Sequence, residues 1–289
     1  MSQSANPEET SPAETGSGRP VLSPEQEAEF HERGYLVVDF GFDPDLLEQV
    51  REKVNPLYPA EFHQDHTRGT RVQDAWLQVD EVRQMAVDSR VLEALQQLYG
   101  RRPLPFQTLN FPVGTSQLAH SDTIHFNSRP SGFMAGVWIA LEDMDENNGA
   151  LIYYPGSHKL PEYSMQDFGL GTGYGHYKAY EQAIQRIIAE QGLQPEYGII
   201  RKGEALIWHA NLLHGGSTRR DPNRSRHSQV VHYFFEGCDY FTPMLSTDEE
   251  IHYRNPVWIP ESAAGVDSIR KRLSPSLLWR ALRKLGMVT

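Results

Sequence analysis

The chain changes texture near its middle. In the N-terminal third, apolar residues recur every three to four positions, as on one face of a helix, whereas beyond Pro105 short apolar runs separated by turns predict strands. The first helix lies in "LSPEQEAEFHERGYLVV". Ser23 is a good N-cap, Pro24 suits the first helical position, and Gln26 completes a capping box. Gly34 ends that helix, and "YLVVDF" follows as a strand. "DPDLLEQVREKVNPLY" and "SRVLEALQQLYG" predict two more amphipathic helices around the irregular "EFHQDHTRGTRVQDAWLQ". Six strands are then expected, in "FQTLNF", "LAHSDTIHF", "GFMAGVWIAL", "ALIYYPGS", "EALIWHA" and "SQVVHYFFEG", with a hairpin turn at Asn148-Gly149. "YKAYEQAIQRIIAEQG" is a helix inserted among them, and "SLLWRALRKLGMVT" is a basic amphipathic helix at the end. Helices followed by closely spaced strands point to a mainly β protein with flanking helices, such as a double-stranded β-helix of jelly-roll or cupin-like form.

The 289 residues suit one large domain or two small ones. Residues 1–21, rich in Ser, Pro, Glu and Gly, read as a disordered tail before a single domain over 22–289. That domain has a helical part to about residue 104, a β-helix core to about 240 and a C-terminal extension. A net charge of -11 leaves no basic field for a general nucleic-acid binder. Cys238 is the one cysteine, which excludes an intrachain disulfide and a cysteine-rich zinc site. No run approaches the roughly 20 apolar residues of a membrane span. The N-terminus has no basic-then-apolar signal pattern, so a cytoplasmic location is expected.

The expected strand "LAHSDTIHF" carries unusual chemistry. Alternation puts His120 and Asp122 on one face and His125 on the other. An imidazole beside a carboxylate starts a metal site, and His214 in "WHANLLHGGSTRR" offers a third ligand. Two histidines and one carboxylate with open positions is the ligand set of non-haem Fe(II) oxygenases. "HQDH" at His63 to His66 also contains His-x-Asp, but among polar, irregular sequence. His209, His227 and His232 read as hydrogen-bonded core or surface histidines. Twelve residues after His214, Arg226 opens "RHSQVVHYFF", where its planar fork can take a carboxylate through two hydrogen bonds. A 2-oxo acid that chelates iron and ends in a second carboxylate needs such a partner, and 2-oxoglutarate is that acid. Arg219, Arg220 and Arg224 sit in "STRRDPNRS", which reads as an exposed loop.

His120-x-Asp122, Trp138, "NNGALIYYPGSHK", "GEALIWHANLLHGGS" and Arg226, in that order, resemble the phytanoyl-CoA dioxygenase family, as does the opening helix and strand. The resemblance covers about residues 22–240. It implies an Fe(II)- and 2-oxoglutarate-dependent dioxygenase acting with O2 on a small-molecule substrate and releasing succinate and CO2. His120, Asp122 and His214 would be the catalytic metal ligands, and Arg226 would hold the distal carboxylate of 2-oxoglutarate. Trp138 and Gln107 would line the co-substrate pocket. Asn110 lies on the opposite face from Gln107. Asp122 favours hydroxylation, since related halogenases carry a small residue there. One departure is Gly216, where the family can carry a serine that touches 2-oxoglutarate; Ser217 and Thr218 are the candidates to replace it.

No motif specifies the substrate, because a fold and its cofactor site host many. His125 and Asn127 are candidate substrate contacts. The insert from Leu160 to Gly198, with glycines at 169, 171, 173 and 175 and several tyrosines, is a candidate lid. The competing reading is a metal-binding protein of the same barrel without oxygenase activity, either an isomerase or a binding and regulatory protein.

Overall fold

The computed structural model describes residues 21–272, with side chains to 270. The expected N-terminal tail and the basic C-terminal helix therefore lie outside the described residues, apart from Val21. Eleven strands are present among the described residues: β1 (Tyr35–Asp39), β2 (Val72–Gln73), β3 (Pro103–Phe111), β4 (Asn127–Arg129), β5 (Met134–Ala140), β6 (Leu151–Tyr153), β7 (Glu196–Tyr197), β8 (Glu204–His209), β9 (His214–Gly216), β10 (Ser228–Phe235) and β11 (Asp239–Phe241). The helices are α1 (Pro24–Arg33), α2 (Pro44–Val54), α3 (Ala60–Gln64), α4 (Asp80–Ala86), α5 (Ser89–Tyr99), α6 (Tyr177–Glu190) and α7 (Ala263–Arg272).

The major sheet has the order β1-β8-β5-β10-β3-β2, entirely antiparallel. Facing it are the three strands β7-β6-β9, with β11-β4 paired separately. This is the double-stranded β-helix. The N-terminal part supplies both edges of the major sheet, β1 and β2, and its helices pack on that sheet.

Alternation along the central strands sorts side chains to two faces. Val137, Ile139, Ile207, Val231, Tyr233 and Phe235 turn outward and pack beneath Leu47, Val50, Val82, Met85 and Leu95 of the helices. The inward face carries Trp138, Leu206, Trp208 and Val230. Burying the outer face under amphipathic helices leaves the inner face free to build a cavity.

Local signals explain the start. Ser23 accepts from the Gln26 amide, the Gln26 side chain reciprocates, and Gly34 ends α1 at φ 81°. Two expectations fail. Asn148-Gly149 does not turn a hairpin, since β5 and β6 belong to different sheets. The Asn148 side chain instead caps its own loop, accepting from Asp145 N and donating to Asp143 O. "LAHSDTIHF" is not a strand either. His120 forms a single bridge with His214, and Asp122–Ile124 is one 3-10 turn. The stretch "EFHQDHTRGTRVQDAWLQ" holds α3 and β2, and α4 follows directly, a short helix without a side-chain cap.

Candidate metal centre and co-substrate pocket

The bridge and the turn do the work that alternation was expected to do. His120 N donates to His214 O at 2.9 Å, and the return bond measures 3.0 Å, fixing the two histidines side by side. Asp122 N donates to Ala210 O at 3.0 Å, and Ser121 caps the 3-10 turn through Thr123 N. This turn brings the Asp122 carboxylate round to the imidazoles. One oxygen lies 3.8 Å from His120 Nε2, and the other lies 3.7 Å from His214 Nε2. One ligand atom from each of the three lies within 4.8 Å of the others, and all three residues are buried.

The imidazoles are oriented from behind. His120 Nδ1 donates to Leu118 O (3.0 Å) and His214 Nδ1 to Leu212 O (2.9 Å). Each ring then keeps the lone pair of Nε2 for the site, the tautomer a metal needs. Burial pushes the His120 ring down to about 4, so it is neutral at pH 7. Burial alone would raise the Asp122 carboxyl, but the facing rings of His214, His232 and His120 outweigh it and hold it well below the usual carboxylate range. The donor set of two imidazoles and one carboxylate suits Fe(II).

Residues 30–228 match the family model described as phytanoyl-CoA dioxygenase (PhyH). The chain belongs to the phytanoyl-CoA dioxygenase family. Its relatives include the bovine (Bos taurus) protein named "Phytanoyl-CoA dioxygenase, peroxisomal", 24% identical over 260 residues, which are 80% of this chain and 74% of the bovine one. The rat (Rattus norvegicus) protein of the same name is 28% identical over 151 residues, 51% of this chain and 41% of its own length, so that match spans less than half of the rat protein. Among solved structures, the fold is shared with the alpha ketoglutarate dependent carbocyclase SnoK from nogalamycin biosynthesis. Its TM-score is 0.64 at 16% identity, over 84% of this chain and 96% of that one. EctD from S. alaskensis, solved with 2-oxoglutarate and 5-hydroxyectoine, has a TM-score of 0.59 at 18% identity, covering 83% and 86%.

In this PhyH-family chain the three ligands open onto a cavity of about 400 Å³. Arg226 reaches it from the residues before β10, 3% exposed. Its guanidinium sits 5.4 Å from the Trp138 ring and 5.8 Å from Phe111. Its Nε has no hydrogen-bond partner, and burial pushes its pKa down to about 10. A buried cation without a carboxylate is costly unless a ligand supplies one. Arg219, Arg220 and Arg224 are occupied elsewhere: Arg219 donates to Thr67 O, Arg220 pairs with Glu146 and Arg224 with Asp145.

Trp138 and Gln107 both line the cavity. Asn110 points to the other face, as alternation requires, and donates to Gln229. Gly216 has a steric reason. A Cβ there would lie 2.9 Å from Ser116 N, and one at Gly215 would lie 2.6 Å from Gln117 O. A serine cannot enter without moving that backbone. Ser217 does not replace it, because its hydroxyl donates to Ala150 O at 2.7 Å.

His125 lines the cavity, its ring 4.8 Å from Tyr177 and stacked near Tyr174. Asn127 is the correction. It does not reach the cavity; its amide donates to Glu162 at 2.7 Å and its oxygen accepts from Ser128 N. The insert forms part of the cavity wall: Tyr174 and Tyr177 face the cavity, Met165 and Tyr180 are buried in a shared core, and His176 and Lys178 are exposed. His63, Asp65 and His66 are exposed and belong to no metal-ligand cluster.

Two residues of the centre escaped sequence reading. His232 Nε2 lies 3.6 Å from Asp122, while its Nδ1 lies 3.1 Å from Gln107 Oε1. Period two from Arg226 through Ser228 and Val230 to His232 was the available signal. Trp208 Nε1 donates to Asp122 Oδ2 at 2.9 Å. Its indole fits only because residue 136 is glycine, where a Cβ would come within 2.2 Å of the ring.

Proposed function

We propose that this chain is a Fe(II)- and 2-oxoglutarate-dependent dioxygenase that hydroxylates a C–H bond of a small molecule. One observation carries the reading: the His120, Asp122 and His214 donors and the unpaired, buried Arg226 face the same cavity. Proteins sharing the fold have been solved with Fe3+ and alpha ketoglutarate, as the epimerase SnoN, and with 2-oxoglutarate, as EctD, which supports the co-substrate. When bound, Fe(II) with 2-oxoglutarate and O2 supplies the oxidation: one oxygen atom enters the substrate and the other enters succinate, with loss of CO2.

The chain's own residues do the rest. His120 and His214 would hold the metal through Nε2, while Leu118 O and Leu212 O fix their tautomers. Asp122 would supply the third ligand, steadied by Trp208. Arg226 would take the distal carboxylate of 2-oxoglutarate by a charge-assisted pair. Trp138 and Phe111 flank that pair and exclude water, which strengthens it. Gln107 offers an amide on the same wall.

Incubating the protein with Fe(II), 2-oxoglutarate, O2 and a metabolite extract tests this. Succinate formation, with one compound gaining one oxygen atom by mass spectrometry, is the expected result. Tight metal binding with no succinate from any extract would favour a metal-binding protein without oxygenase activity.

A further inference from the structure

The charges around the cavity do not balance once the co-substrate is counted. Asp122 is the only carboxylate among the described side chains that line it, against Arg71, Arg226 and Arg254. Under the proposed function, Asp122 and the two carboxylates of 2-oxoglutarate supply three negative charges, against two positive charges on the metal and one on Arg226. Arg71 and Arg254 are left with no counter-charge. The chain as a whole carries -11, so this positive excess is local.

Both arginines line the cavity, Arg254 half-buried beside Phe126 and Arg71 exposed. Arg254 is held in place: Nη1 donates to Thr242 Oγ1 at 3.0 Å, and its backbone N donates to Tyr240 O at 2.7 Å. Its guanidinium lies 4.8 Å from the Phe126 ring, which is 5.2 Å from the ring of His232. The buried Nε has no partner. Arg71 precedes β2 and shares the cavity-facing side of Gln73, two residues on. It makes no ion pair, and its charge is felt at His125. Several other arginines are matched with carboxylates, as in Arg33–Glu196, Arg83–Asp80 and Arg201–Glu204.

We propose that Arg71 and Arg254 form a substrate subsite for an oxyanion, a carboxylate or a phosphate. It would hold the substrate by its charged end with its body against Phe126, presenting a carbon to the metal. This rests on the co-substrate reading above and goes beyond it by naming the substrate's charge.

The test uses protein loaded with Mn(II) and saturated with 2-oxoglutarate, which fills the Arg226 end. Benzoate, hexanoate and phenyl phosphate are titrated against benzamide and hexanamide, with tryptophan fluorescence or calorimetry as the readout. An acid or phosphate should bind at least about tenfold tighter than its neutral analogue. R71Q and R254Q should each remove about tenfold from the anion and nothing from the amide. R254K, which keeps the charge, should recover part of the loss and guards against misfolding. Carboxylates and phenyl phosphate ranked against each other identify the preferred oxyanion. Equal binding of acids and amides, no binding of any anion, or variants that leave anion affinity unchanged would overturn the subsite. Weaker 2-oxoglutarate binding in R71Q or R254Q would assign that arginine to the co-substrate instead and overturn it too. Failure of the unmodified protein to bind 2-oxoglutarate at all is a separate result, and it would strike the co-substrate reading itself.

Discussion

Replacing Arg226 with methionine should stabilise the ligand-free protein while removing its response to 2-oxoglutarate. The guanidinium is 3% exposed, has no carboxylate within ion-pair distance, and leaves Nε unpartnered. Burial pushes its pKa down to about 10, well below the usual arginine value. At about 1.4 kcal/mol per pH unit, that corresponds to about 3 kcal/mol of cost for the charged form. The sign is fixed by the direction: a base with a depressed folded pKa destabilises the fold fully below about pH 10. The cost disappears only as pH rises toward the unfolded value. Methionine keeps much of the apolar packing against Trp138 and Phe111, so the net gain is about 1–3 kcal/mol. For a chain this long, about 1 kcal/mol moves the melting temperature by about 2–4 °C. The assay is thermal unfolding with Mn(II), with and without 2-oxoglutarate. The unmodified protein should melt lower without the co-substrate and rise when it is added. R226M should start several degrees higher and barely respond, having lost a charge-assisted contact of about 1.5–3 kcal/mol. An R226M protein that melts lower without ligand, yet still gains from 2-oxoglutarate, would refute the reasoning.

His120→Ala, Asp122→Ala and His214→Ala should each abolish Fe(II)-dependent succinate formation, while His63→Ala and Asp65→Ala stay within about twofold of the unmodified rate; the reverse pattern would move the site. Trp208→Phe should weaken metal affinity by about tenfold in a chelator competition, with the far-UV spectrum unchanged, because it removes the 2.9 Å bond to Asp122 and little volume. Acid should destabilise the ligand-free protein well before its carboxylates titrate. Burial pushes His209 down to about 4, so the unfolded chain binds its proton first and stability falls as pH drops from about 6.5 toward 4. For His209 that loss is about 2 kcal/mol by pH 5, read as a lower urea midpoint than at pH 7; equal midpoints would contradict it.

What the sequence disclosed follows the range of its signals. The α1 cap is local chemistry within a few residues, and it appears as expected. The short apolar runs of β5, β8 and β10 were readable because both of their faces are buried, one beneath the helices and the other inside the barrel. His120 and Asp122 were expected side by side for a partly mistaken reason. His120 and Asp122 converge through a bridge and a 3-10 turn, which period-two reasoning reproduces only by coincidence at a spacing of two. Trp208, Gly136, His232 and Arg254 were not legible, because their roles depend on neighbours tens to more than a hundred residues away. Asn127 misled for the same reason, since its partner Glu162 comes from the insert.

Fe(II) held by His120, Asp122 and His214, with 2-oxoglutarate anchored by Arg226, would have a direct optical signature. Anaerobic titration of the ligand-free protein with Fe(II) and 2-oxoglutarate tests it most directly, through the visible charge-transfer band of the chelated co-substrate. A saturable band is expected at one equivalent of metal, absent in H214A and shifted to much higher 2-oxoglutarate in R226M. No band in the unmodified protein, or an undiminished band in both variants, would contradict it.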